Sequence, residues 1–176
     1  MTRIGFEGQV QRIGDRTLVR LPAEASAELP SRGQVAVEGT LNGHAFDTVL
    51  EPDGRRGHWV ALGGDLMQSL DLAADDTVAL QVAPTKAWPE PQLPADLEAA
   101  LAEASDIADE WADITPMARW EWVRWVNATR NPETRLRRVE VTISKLRAGK
   151  RRPCCFDLSS CTDPEVAKSG KLIDSA

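Results

Sequence analysis

At 176 residues the chain has room for one large domain or two small ones. Its 42% hydrophobic and 27% charged content matches a soluble globular protein and excludes a disordered or fibrous one. A net charge of −6 argues against general binding to nucleic acid or to a membrane surface.

The first half reads as strands. Phe6 to Val10 alternates, Gly14-Asp15 offers a turn, and Thr17 to Leu21 follows until Pro22 stops it. Gln34 to Leu41 alternates cleanly. Asn42-Gly43 is a strong hairpin signal, because both central positions of a type I′ turn need positive φ. His44 to Leu50 returns, Pro52-Asp53-Gly54 turns again, and His58 to Leu62 is a further strand. After Gly63-Gly64, Asp65 to Leu70 suits one or two helical turns, and Thr77 to Val82 is the sixth strand. Six short strands with turn signals between them predict a small barrel over residues 1–84. Four prolines between Pro84 and Pro94 predict a stiff, extended linker over 85–94.

The period then changes. Leu97, Ala100, Leu101 and Ala104 share one helical face, and Ser105 suits the cap of a second short helix through Trp111. Thr115-Pro116 and Asn131-Pro132 each place a capping side chain before a proline at the first helical position. They predict two helices joined near Arg130, with Gly149 ending the second. On the first helix Ala118, Trp122, Trp125, Val126 and Thr129 form the predicted core face, with Trp120 and Arg124 outside it. On the second, Leu136, Val139, Ile143 and Leu146 form the predicted buried stripe, edged by Arg135, Arg138 and Lys145. The helical domain is therefore placed at 95–150, and the fold class is α+β. Residues 151–176 are polar, hold Cys154, Cys155 and Cys161, and are expected to be loosely attached or disordered.

Charge is unevenly spread. Residues 93–113 carry seven acids and no base, whereas 119–152 carry 11 bases and three acids. The plain expectation is that the two segments pair within one molecule; the alternative is a basic surface for nucleic acid.

Trp125-Val126, followed by Arg130-Asn131-Pro132-Glu133-Thr134-Arg135-Leu136-Arg137-Arg138-Val139, resembles the W-I-x-x-A-K-x-x-E-T-R-x-R-R-I signature of the YdeI/OmpD-associated, or bacteriocin-protection, family. Thr129 and Arg130 depart from it, standing where Ala-Lys is usual. Val37 to Phe46 resembles the V-x-G-x-x-N-G-x-x-F core of the small domain of unknown function that often precedes it. The resemblance implies a double-split β-barrel, distantly similar to AbrB-type transcription factors, followed by a helical domain. Its names imply links to porin expression and bacteriocin tolerance, with no established activity. The barrel's own charge of −5 over residues 1–92 counts against DNA contact there.

No nucleophile–base motif, phosphate-binding glycine loop or metal-helix motif is present. His44 and His58 are expected to be structural, with Asp47 and Asp65 as conceivable partners. Cys154, Cys155 and Cys161 fall short of the four ligands of a structural zinc site, so neither metal nor cofactor is expected. The odd cysteine count, no signal-like leader and no 18-residue apolar run predict a cytoplasmic protein without membrane insertion. Arg135 and Arg138, one turn apart, are the candidate clamp for an anion; Trp120 beside Arg124 is the candidate stacking contact. The expected function is non-catalytic binding of a small anionic ligand or a protein partner. Nucleic-acid binding through 119–152 and an unidentified enzymatic reaction are the alternatives.

Overall fold

The computed structural model describes residues 2–153 and 158–174. The chain separates into two compact units. The first comprises Met1–Pro89 with Leu158–Cys161 and Glu165–Ala176; the second comprises Glu90–Asp157 and Thr162–Pro164.

The first unit is a closed barrel in the order β1-β2-β5-β4-β3-β6. Its strands are β1 (Ile4–Ile13), β2 (Arg16–Arg20), β3 (Val35–Leu41), β4 (His44–Pro52), β5 (His58–Ala61) and β6 (Thr77–Pro84). Every pairing is antiparallel. Closure follows from the length of β1, which pairs with β6 through Ile4–Gln9 and with β2 through Val10–Ile13. A closed ring leaves no strand edge for aggregation. Asn42 (φ 50°) and Gly43 (φ 81°) make the expected tight turn between β3 and β4. Alternate side chains, among them Val10, Val19, Val37, Leu50, Val60 and Leu80, fill the interior. Burying each such side chain stabilises by roughly 1.5–3 kcal/mol. Two short helices, α1 (Ala23–Ala27) and α2 (Gly64–Ser69), fill connections. The first, a five-residue helix directly after Pro22, is too short to leave a periodic signal.

The C-terminal segment departs from expectation. Residues 166–173 form a hairpin, β7 (Ala167–Lys168) with β8 (Lys171–Leu172), held to the barrel. Cys161, Val166 and Leu172 bury against Ile13, Leu18 and Trp59 on the barrel's outer face. The Leu172 amide donates to the Asp53 carbonyl (2.9 Å), and Trp59 Nε1 donates to the Pro52 carbonyl (3.2 Å). Arg20 donates to the Ile173 carbonyl, and Arg20 and Arg55 approach Asp174 at 3.7 and 3.9 Å. Gly54 (φ 74°) permits the contact, because a Cβ there would lie 1.9 Å from the Gly170 oxygen. A polar composition concealed this attachment, since three apolar side chains suffice to cover one patch.

The second unit contains α3 (Ala95–Glu103), a 3-10 turn at Ser105–Ile107, α4 (Ala108–Asp113), α5 (Pro116–Asn127) and α6 (Pro132–Arg147). Both expected caps are in place. Thr115 Oγ1 accepts from the Ala118 amide (3.1 Å), and Asn131 Oδ1 accepts from the Glu133 and Thr134 amides (3.0 and 3.1 Å). Trp122, Ala118 and Leu146 pack with Ile107 and Ile114; Val123, Val126 and Val139 pack with Leu97. No described helix is long and apolar enough to cross a membrane.

Candidate functional site

Helix α5 is buried over more of its circumference than its apolar face requires. Trp122 is fully buried, and its Nε1 donates to the Arg151 carbonyl (3.0 Å). Trp125 is half-buried and meets Trp122 edge to face, with ring centroids 6.0 Å apart at 71°. Arg124, expected outside the core, is 7% exposed, and Glu121 beside it is 5% exposed. Polar residues there gave no apolar signal of a second buried face. Burial pushes the Glu121 carboxyl above its ordinary pKa, opposed by Arg152 and Arg124; Arg152 Nη1 lies 3.5 Å from Glu121 Oε1. Trp120 is half-buried.

Arg135 and Arg138 do not converge. Arg135 grips Asp96 through Nε (2.6 Å) and Nη2 (3.0 Å), and also reaches the Val126 carbonyl and Asn127 Oδ1 at the end of α5. Arg138 donates to the Trp125 carbonyl (2.7 Å), with its guanidinium carbon 5.2 Å from the Trp125 ring centroid. Three further arginines repeat the pattern of Arg135. Arg119 holds Glu90 (2.9 and 2.5 Å), Arg147 holds Asp106 (2.6 and 3.0 Å), and Arg151 holds Asp113 (2.8 Å). The acids of 90–113 thus neutralise much of the basic segment within one unit. Hydrogen bonds from their arginines hold Asp96 and Asp106 below the usual carboxylate pKa.

A groove of about 760 Å³ lies between α3 and α6. One end carries the Arg135–Asp96 bridge and the other the Arg147–Asp106 bridge. Small side chains, Ala99, Ala100 and Ala104, line one wall; Val139 and Ile143 line the other. Leu136, expected in the buried stripe, is 61% exposed and also lines this groove. It sits one turn into α6, on the side of that helix that α3 leaves open. Glu103 and Glu140 are exposed along the groove, with no hydrogen-bond or ion-pair partner among the described residues.

The histidines are not brought together with Asp47 or Asp65. His44 is exposed on the β4 hairpin. His58 is 1% exposed: Nδ1 lies 2.7 Å from Ser26 Oγ, and Nε2 lies 2.9 Å from the Gly33 carbonyl. A carbonyl can only accept, so Nε2 carries the proton, and Ser26 donates to Nδ1. Burial holds His58 below the ordinary imidazole pKa, so it is neutral at pH 7. Ser26 left no signal in the sequence, because its approach to residue 58 is created by closure of the barrel. Among the described residues no cluster of three His, Cys, Asp or Glu could hold a metal. Cys161 is buried, and Cys154 and Cys155 lie outside the described residues.

Residues 90–149 match the family model described as Bacteriocin-protection, YdeI or OmpD-Associated. Residues 6–82 match the domain of unknown function DUF1905. The chain thus carries a segment similar to the YdeI/OmpD-associated family, preceded by one similar to DUF1905. The two matched segments correspond to the helical unit and the barrel, respectively. No curated protein matches the chain.

Proposed function

We propose that this protein is a non-catalytic binding protein whose helical unit takes a cationic amphipathic segment of a peptide or protein partner in the α3–α6 groove. The observation that carries the reading is the state of the charges there. Arg135 and Arg147 already hold Asp96 and Asp106, so a small anion would have to displace a bidentate carboxylate. Glu103 and Glu140 have no such partner, and Leu136 offers an exposed apolar anchor. A helix that lays an apolar face into such a groove, with basic residues on its flanks, satisfies both features.

The words bacteriocin protection in the family description acquire a physical sense on this reading, since it specifies a binder of basic amphipathic peptides. The same reading keeps the protein in the cytoplasm. Three clustered cysteines without a disulfide framework support that placement, and cell fractionation tests it.

Fluorescence anisotropy with a labelled 18-residue Lys/Leu amphipathic helix measures the interaction. Saturable binding is expected, weakened at least tenfold, or about 1.4 kcal/mol, by Leu136→Asp. Glu103→Lys with Glu140→Lys should weaken it further and flatten its salt dependence. Binding unaltered by Leu136→Asp would remove the groove from consideration. Tighter binding to duplex DNA than to the peptide, falling steeply with salt, would favour the nucleic-acid alternative instead.

A further inference from the structure

The barrel has a cavity of its own, formed at one rim. The register Ile4↔Val82 and Val37↔Pro84 brings the start of β1, the start of β3 and the end of β6 to the same end of the barrel. The loop from Glu28 to Gln34 and the segment from Pro84 to Trp88 border an open pocket of about 480 Å³ there. Pockets of roughly 300–1,000 Å³ accommodate small molecules, and barrel mouths are among their usual places.

The lining is mostly apolar: Pro30, Pro84 and Trp88 are accessible, and Ile4, Val35 and Ala36 are buried. Its two charged residues, Glu28 and Lys86, are of opposite sign and both exposed. The polar groups are engaged locally. Ser31 Oγ accepts from the Gly33 amide (3.0 Å), Thr85 Oγ1 accepts from the Ala87 amide (3.1 Å), and Gln34 donates to Glu51 (2.7 Å). Such walls select for contact area rather than charge. Water held against them lacks partners, and its release favours an apolar occupant.

The loop wall is fixed in advance. Arg32 Nη2 donates to the Ser26 and Leu29 carbonyls (2.7 and 3.0 Å), and Nη1 donates to the Arg56 carbonyl (3.0 Å). The buried Ser26–His58–Gly33 relay holds the same loop from beneath. A wall already held by these polar contacts does not need a ligand to order it, which lowers the cost of binding.

We propose that the barrel mouth is a binding site for a small uncharged hydrophobic molecule, aromatic or aliphatic, packed against the accessible faces of Trp88, Pro84 and Pro30. The site belongs to the barrel unit and does not depend on the α3–α6 groove.

The test is titration of the full chain with the uncharged fluorophore N-phenyl-1-naphthylamine. Saturable binding to one site is expected. Thr2→Trp, at an exposed position on the pocket lip, should weaken it at least tenfold with an unaltered melting temperature. Trp88→Leu should do the same by removing the aromatic wall, and loss in either folded variant supports the site. Leu136→Asp should leave the titration unchanged. A signal that rises without saturating overturns the proposal, as does one that neither pocket variant moves. Loss of the signal in Leu136→Asp alone would place the fluorophore in the helical groove and overturn it equally.

Discussion

The two units are held together by different physics. In the barrel, 15 buried hydrophobic residues form one continuous cluster among the described residues. The helical unit divides its apolar burial into clusters of six and four, and adds Arg–carboxylate bridges around them, among them those of Arg119, Arg135, Arg147, Arg151 and Arg152. A closed barrel has an inside, so alternate residues of every strand converge. Short helices have only stripes, and the sides left over are joined by charge. The barrel should therefore be indifferent to salt, while the helical unit should respond to it.

The comparison breaks most severely at Trp122, where the helical unit concentrates its packing. Trp122→Ala should destabilise that unit by about 3–5 kcal/mol, measured by urea denaturation with helical circular dichroism as the signal. A loss below about 1 kcal/mol would mean that the bridges, not the clusters, dominate there. On the barrel side, Gly54→Ala combines an unfavourable φ with a clash against Gly170 and should cost more than about 1 kcal/mol. Faster hydrogen exchange at the Leu172 amide reports it, since that amide is bonded to Asp53.

Acid sharpens the contrast, because the units titrate in different windows. His58 has a folded pKa below its unfolded value near 6.5, so the unfolded chain binds more protons between the two. Barrel stability is then fully present above about pH 6.5 and lost as pH falls toward the folded value, by at most about 1.4 kcal/mol per pH unit. Asp96 has a depressed pKa, so its contribution to the helical unit persists to about pH 4 and is lost below that. Glu121 runs the other way: its raised pKa removes stability as pH rises from about 4.5 through the folded value. Melting curves that follow strand and helix signals separately between pH 7 and pH 5 should show the barrel weakening first. His58→Gln should abolish that slope. The smallest effect is expected at the half-exposed bridge of Arg135 with Asp96, where Arg135→Met should cost about 0.2–1 kcal/mol at low salt and less at 1 M.

The sequence made the strands and caps legible because their signals are local. Alternation, Asn42-Gly43, Thr115-Pro116 and Asn131-Pro132 each act within a few residues. What it concealed depends on distant partners. Arg124 reads as surface in the sequence because a polar residue does not reveal what covers it. Leu136 reads as core in the sequence because periodicity gives a face without saying how far the neighbouring helix extends. The uneven charge of 93–113 against 119–152 did signal pairing, but not which arginine meets which acid. The attachment of residues 158–174 left one overlooked trace. Leu18-Val19 and Trp59-Val60 are adjacent apolar pairs, and in a strand adjacent residues point to opposite faces. A barrel strand that is apolar on both faces implies something outside to cover it.

That cover has a consequence for how the protein is made. Arg20 meets residues 153 positions further along the chain, so the barrel is complete in sequence terms only after the whole helical unit has been synthesised. At about 5–20 residues per second, the ribosome takes roughly 4–15 s to travel from the end of β6 at Pro84 to Leu158. Throughout that interval Ile13, Leu18 and Trp59 have no hairpin to cover them. All six barrel strands are then made, but one apolar patch on the outside stays open to water until the hairpin arrives to cover it.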